Sequence, residues 1–136
     1  MAVVKELIRK EENGTLSFGN YELPSKQKVS DFSYQGDNYK VKTFREITKL
    51  ERNGMFVYES VPGTVVREMK LSETEVAFTV EGLEDTQITM ELEPEKEYRV
   101  KIGEEEERTL KTNLGGKLVL SVELDAGQEV DVKVSR

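Results

Sequence analysis

The sequence contains no cysteine and no histidine. Without cysteine there is no disulfide, no thiol nucleophile and no iron–sulfur or zinc–thiolate site. Without histidine there is no Ser-His-Asp or Cys-His arrangement and no ordinary zinc or haem site. Catalysis would have to rest on Asp, Glu, Lys, Tyr or Arg, and these residues form no recognisable catalytic, cofactor-binding or metal-binding motif. We therefore predict a protein that is not an enzyme and carries no cofactor.

Tryptophan is also absent, and aromatic residues make up only 7% of the chain. The core must therefore consist largely of Val, Leu and Ile. No apolar run approaches the roughly 20 residues that span a bilayer, and no basic and apolar leader opens the sequence. We expect a cytoplasmic protein with no membrane partner, and an extracellular location stays open as the alternative.

Charged residues make up 35% of the sequence, and the net charge is −7. An acidic protein is repelled by nucleic acids and by anionic membranes unless a local basic patch intervenes. The most basic stretch, "YKVKTFREITKLER", also carries Glu46 and Glu51. We therefore expect no nucleic-acid partner.

The second half of the chain has the pattern of an antiparallel β-sheet protein. Apolar residues recur at every second position in "TEVAFTV", "TQITMEL", "YRVKI", "KLVLSVEL" and "EVDVKV". Two more strands are predicted in "TVVREMKL" and "RTLKT", and Gly, Pro and Asp residues separate the segments. This spacing predicts a β-sandwich over residues 61–136.

The first sixty residues are expected to form β-hairpins. The pairs Asn13-Gly14 and Asn53-Gly54 are typical of type I′ turns, and a third hairpin is predicted to turn at Gly36-Asp37. The predicted fold is therefore all-β, with an N-terminal hairpin region over residues 1–60 packed against, or continuous with, a C-terminal immunoglobulin-like sandwich.

Two short helices are the alternatives in this region. Val3, Val4, Leu7 and Ile8 fit a 3.6-residue period, and Thr43-x-x-Glu46 fits a capping box ahead of a second amphipathic segment. The boundary between the two regions is placed near "ESVPGT", where "SVPGT" is predicted to be a type II turn.

The stretch "LEPEKEYRV" resembles the L-x-P-x-x-x-Y-x-V pattern of fibronectin type III-like sandwiches in Leu92, Pro94, Tyr98 and Val100. In those domains the tyrosine forms a corner in which its hydroxyl bonds to upstream backbone. The resemblance implies that Tyr98 is buried and structural. Pro94, which cannot donate to a ladder, would end one strand and direct the chain across the sandwich edge.

Taken whole, including "GMFVYESVPGT" and "KTNLGGKL", the chain is similar to a set of small uncharacterised bacterial proteins, some of which carry an endosialidase label. The segment "TNLGGKLVLSVELDAGQEVDVKV" also resembles a small sandwich appended to bacterial polysaccharide-active enzymes. The chain has no Asp-box motif and is too short for a sialidase propeller, so no catalytic residue is carried over.

The residues with the best prospect of forming a partner or ligand surface are Tyr34, Tyr39, Phe56 and Tyr58, which gather near Lys40 and Lys42. The alternative is that these rings point into the core or form cross-strand pairs. The run Glu104 to Glu107 is expected to be a solvated loop, since consecutive residues cannot converge on one cation. We expect a non-catalytic interaction or assembly module that binds an unknown protein or itself; the alternative is a glycan-binding or polysaccharide-enzyme accessory protein.

Overall fold

The computed structural model describes residues 3–136, and in this range the protein is all-β, with thirteen strands and no helix. Residues 3–136 therefore contain no helix that could span a membrane. The strands are β1 (Ile8–Lys10), β2 (Leu16–Phe18), β3 (Gln27–Tyr34), β4 (Asp37–Thr43), β5 (Thr48–Arg52), β6 (Met55–Val61), β7 (Thr64–Leu71), β8 (Glu75–Gly82), β9 (Thr86–Glu91), β10 (Glu97–Ile102), β11 (Arg108–Lys111), β12 (Lys117–Val122) and β13 (Glu129–Ser135).

The strands form two antiparallel sheets. The seven-stranded sheet has the order β1-β2-β7-β8-β13-β10-β11, and the six-stranded sheet has the order β12-β9-β6-β5-β4-β3. Buried apolar side chains from both sheets form one large cluster between them. At its centre the ring of Tyr58 lies edge-on to Phe18 and Phe78, with centroids 5.3 and 5.6 Å away. The sheets therefore pack face to face as a sandwich.

The strands predicted for the second half of the chain are confirmed. All seven appear, and "TVVREMKL" coincides with β7. On β8 the alternate residues Val76, Phe78 and Val80 point into the core, as the two-residue period requires. The alternation predicts these strands well because each has one face on the core and one face in water.

Two of the three predicted hairpins turn where expected. Asn53 and Gly54 join β5 to β6 with φ of 53° and 79°, as a type I′ turn needs. Strand β1 pairs with β2 across a loop that contains Asn13 and Gly14, but only Gly14 has a positive φ, so the type I′ geometry predicted for this pair is wrong. The third hairpin, β3–β4, turns at Gln35 and Gly36, with φ of 51° and 82°, one residue before the predicted Gly36-Asp37.

The helical alternatives are wrong. Leu7 has a φ of 74°, which no α-helix accepts, and the next residues form β1. Val3 and Val4 pack in a small separate cluster, whereas Leu7 and Ile8 join the main core, so the four residues do not share one helical face. Thr43 ends β4, and its hydroxyl bonds to that of Thr48, 2.8 Å away, instead of capping a helix.

The two predicted regions share both sheets. Strand β2 pairs with β7, β6 pairs with β9, and the position 60–61 boundary falls inside β6. The arrangement is thus the continuous one of the two considered.

The predicted type II turn at "SVPGT" is also wrong. Gly63 lacks the positive φ that such a turn needs. A glycine is required at position 63 because a Cβ atom there would overlap the Phe44 carbonyl oxygen.

The "LEPEKEYRV" corner has the expected geometry. Tyr98 is buried, and its hydroxyl accepts a hydrogen bond from the Glu93 amide at 3.2 Å. Leu92 packs against the main cluster. Pro94 lies in the segment that leaves β9 of the six-stranded sheet and enters β10 of the seven-stranded sheet. The corner is therefore a structural link between the sheets.

A chain of buried hydroxyls crosses the core beside the aromatic centre. The Thr64 hydroxyl lies 2.8 Å from those of Tyr58 and Ser60. The Thr48 hydroxyl accepts from the Thr64 amide and donates to the Thr64 carbonyl. These groups are fully buried, so their polar atoms rely on one another. The network stabilises the crossing from β6 to β7.

Candidate functional site

The predicted aromatic surface is not formed by its three tyrosines. Tyr34, Tyr39 and Tyr58 are 4%, 2% and 0% exposed. The Tyr34 hydroxyl donates to the Gly14 carbonyl oxygen at 2.6 Å, and the rings of Tyr34 and Tyr39 meet edge to face. These contacts place the tyrosines in the core, which was the alternative considered.

Phe56 is the member of the predicted set that lies outside the core. Residues two apart on a strand normally share a face, but β6 has a bulge between the pairs Leu50–Tyr58 and Glu51–Phe56. Tyr58 therefore points inward and Phe56 outward. The Lys117 ammonium lies 4.4 Å from the Phe56 ring centroid and that of Lys49 lies 5.7 Å away, both within the range of a cation–π contact.

Burial is the main factor that raises the pKa of the core tyrosines. It does so for Tyr34, Tyr39 and Tyr58; the Arg52 guanidinium partly opposes it at Tyr39, and hydrogen bonds to Thr64 and Ser60 partly oppose it at Tyr58. The phenols stay protonated at neutral pH, so their hydroxyls act in the core as neutral hydrogen-bonding groups.

The sandwich has several concave surfaces, among them a cleft and a groove. A cleft of about 310 Å³ opens between the β5–β6 and β7–β8 hairpins, with Met69 and Met90 among its apolar lining residues and Arg52 and Glu73 among its charged ones. A groove of about 870 Å³ at three loops is lined by seven carboxylates, from Asp85, Glu104, Glu105, Glu123, Asp125, Glu129 and Asp131. Within residues 3–136, no group of three or more carboxylates is arranged to hold a metal ion. Residues 104–107 are exposed, as predicted for that run.

Three of the four sheet edges are unsuited to pairing with another strand. Strand β1 has three residues, and β11 has four, with Arg108 and Lys111 at its ends. Strand β3 is longer, but its pairing shifts between Val29 and Phe32, where Asp31 has a φ of 60°. Short length, charge and bulges are the usual means by which proteins protect exposed edges.

Strand β12 is the exception. It pairs with β9 in unbroken register from Lys117–Glu91 to Val122–Thr86, and Lys117 is its one charged residue. Its outward residue Val119 is 51% exposed, and Leu114, in the loop that leads into the strand, is 81% exposed. A regular edge with exposed apolar side chains is a template for strand addition.

The hydrogen bonds at the start of β12 identify the backbone groups that face the open edge. The Gly116 carbonyl accepts from the Leu92 amide on the β9 side, whereas the amide and carbonyl of Lys117 both bond to Asn113 on the other side. In an antiparallel strand, successive residues direct their N–H and C=O groups alternately to the two neighbouring sides. The even-numbered residues therefore bond to β9, and the free edge begins with the N–H and C=O groups of Val119 and Ser121.

Between the Lys117–Glu91 ion pair and Glu123, the outward positions of the two strands at this edge carry no charge, and Glu59 of β6 lies across from Thr89. The partners across from Val119 and Ser121 on β9 are Thr89 and Gln87, and Gln87 in turn pairs with Val61, which is 52% exposed. We call Val119, Ser121, Thr89, Gln87 and Val61 the β12 face. The free edge and this face adjoin each other at Val119 and Ser121, which an added strand would contact directly.

The alternation in "KLVLSVEL" predicts the strand but not the surface. No local pattern indicates that a strand lies at the edge of a sheet. The available indication was the scarcity of charge at Val119 and Ser121, which occupy the outward positions.

Compared with protein-family models, with curated proteins and with solved structures, the chain matches none.

Proposed function

We propose that the protein is a non-catalytic interaction and assembly module that takes up an extended polypeptide strand along β12. The observation that carries the proposal is the contrast among the four sheet edges: three are short, charged or bulged, and β12 is regular and open. An added strand would satisfy the free groups of Val119 and Ser121 and cover the Val119 side chain. Main-chain bonds would supply affinity, and contacts with the outward side chains of β12 would supply selectivity.

The size of the surface favours reversible association. Each new backbone hydrogen bond contributes about 0.5–1.5 kcal/mol net, and burial of two aliphatic side chains adds a few kcal/mol. Loss of translational and rotational freedom opposes these terms by at least about 4 kcal/mol. A single edge therefore gives weak binding, which suits a module that assembles with several contacts or at high local concentration.

A photo-crosslinking amino acid at position 119, in the protein made by its own host cell, tests the proposal. The expected result is one discrete adduct from position 119 and none from a crosslinker at Lys133, a control site whose side chain is 58% exposed on the seven-stranded sheet. Ser121→Pro should abolish the adduct, because it removes an N–H at the free edge and no bond to β9. Ser121→Ala is the matched control and should retain it. Equal adducts from both sites, or none from position 119, would contradict the proposal.

Phe56 supports a second proposal from a different class, binding of a glycan to the outer face of the six-stranded sheet. The ring is partly accessible, but Lys117 lies over it, so a sugar would have to displace the ammonium group. A glycan array with the wild-type protein and Phe56→Ala tests this proposal. Binding that depends on Phe56 would favour it, and no binding to plant, bacterial or sialylated glycans would remove it. Either proposal is compatible with the resemblance to small bacterial proteins.

A further inference from the structure

We infer that the strand taken up by β12 is the β12 strand of a second copy, paired antiparallel about a two-fold axis. The inference rests on the proposed function and names its partner. It follows from the distribution of charge along the strand and from the backbone groups that are free.

The charges along β12 are complementary to those of an antiparallel copy. Lys117, Val119 and Ser121 alternate on the outward face of β12, and exposed Glu123, the first residue after the strand, continues this alternation before buried Leu124. The positive charge stands at the start of the strand and the negative charge directly after its end. Antiparallel pairing brings the start of one copy to the end of the other, whereas parallel pairing would place like charges together.

Occupied backbone groups restrict the register. Asn113 already bonds to both backbone groups of Lys117, so a second strand can pair only from Val119 onward. The chain also turns after Glu123, since the Gln128 amide donates to the Asp125 carbonyl. The stretch that can pair therefore runs from Val119 to Val122 within β12 and extends to Glu123, the next residue, so its centre is Ser121. In the two-fold register Ser121 faces its own copy, and Val119 faces Glu123 of the other chain.

In this register Lys117 of one chain is the diagonal neighbour of Glu123 in the other. Diagonal side chains on adjacent strands start about 7–8 Å apart, which is within the reach of a lysine and a glutamate. Lys117 already contacts Glu91 at 3.2 Å, and Glu123 forms no salt bridge with any residue from 3 to 136. The two-fold axis creates this pair twice, so one substitution changes two contacts.

The net charge of −7 on each copy opposes the association, so the dimer should be weak and should grow with protein concentration. The structure nevertheless favours a copy of β12 over the other edges of the protein. Those edges are short or bulged, and none combines a regular backbone with a complementary charge at each end.

Sedimentation equilibrium of two charge-reversed variants tests the register. Lys117→Glu alone and Glu123→Lys alone each place like charges at both contacts and should raise the dimer dissociation constant about tenfold. An equimolar mixture of the two variants should dimerise close to the wild-type level, because both contacts are then oppositely charged. The double variant Lys117→Glu/Glu123→Lys should also recover, which controls for damage to the fold. Lys49→Glu, the same charge change on β5, should leave the dissociation constant unchanged.

Several outcomes would overturn the inference: a wild-type protein that stays monomeric at all concentrations, single variants that dimerise as well as the wild type, or a mixture that does not recover. If the wild type is monomeric while position 119 captures a different protein that Ser121→Pro releases, self-pairing is refuted and the proposed function stands. If neither occurs, both are refuted.

Discussion

Replacement of Thr64 by valine isolates the contribution of the buried hydroxyl network. Valine has nearly the same shape as threonine, so the packing is retained while one hydroxyl is exchanged for a methyl group. The Thr64 hydroxyl is within 2.8 Å of both the Tyr58 and Ser60 hydroxyls, and all three residues are fully buried. The substitution therefore leaves two buried hydroxyls without this partner.

The expected loss follows from those two groups. A buried polar group without a partner costs about 1–3 kcal/mol, so Thr64→Val should lower the free energy of unfolding by about 3 kcal/mol and the melting temperature by about 10 °C. Urea unfolding followed by far-ultraviolet circular dichroism measures the change. Thr64→Ser retains the hydroxyl and should lose only about 1 kcal/mol, from its missing methyl group. If Thr64→Val were as stable as Thr64→Ser, the hydroxyls would not depend on each other, and the reasoning would be refuted.

Three further substitutions test other parts of the fold. Tyr98→Phe removes the hydroxyl that accepts from the corner amide and should cost about 1 kcal/mol in urea unfolding, while association through β12 is retained; unchanged stability would mean the bond contributes nothing. Burial, and then the hydrogen bond to Glu81, raises the pKa of Tyr21 from 10 to about 12. The protonated Tyr21 phenol therefore contributes its full stabilisation below pH 10, and this stabilisation is lost as the pH rises toward 12. Wild-type stability should therefore fall across that range more steeply than that of Tyr21→Phe, and parallel curves would contradict the assignment. Gly116→Ala should lose more than about 2 kcal/mol, because Gly116 has a φ of 81° and a Cβ would overlap a backbone carbonyl, whereas Gly115→Ala, with its nearest neighbour 3.5 Å away, should be tolerated.

The sequence predicts the strands of the second half because the alternation of apolar and polar residues within each strand depends only on which of its faces is buried. A strand with one face on the core and one in water alternates whatever its neighbours are. The same rule could have placed Tyr39 correctly, because "YKVKT" alternates it and Val41 with two lysines. At Phe56 and Tyr58 the rule fails, since the bulge of β6 reverses the faces of two residues that a regular strand would align.

The order of strands within a sheet is not recorded locally. Leu118 pairs with Met90, and no property of either segment states that β12 has a neighbour on one side only. The proposed site depends on that long-range fact. The hydroxyl network likewise joins Thr48 to Thr64, which are distant in sequence and ordinary in composition. Both features could be found only once the sheets were assembled.

Residue-resolved amide hydrogen exchange as a function of protein concentration distinguishes a β12 edge that pairs with a second copy from one that stays open. The N–H groups of Val119 and Ser121 face the open edge, whereas those of Leu118 and Leu120 bond to β9. If β12 pairs with a second copy, exchange at Val119 and Ser121 slows as the protein concentration rises, while Leu118 and Leu120 are protected at every concentration. In Ser121→Pro, Val119 should exchange rapidly at all concentrations. Fast exchange at Val119 and Ser121 that does not depend on concentration would contradict the pairing of β12 with a second copy.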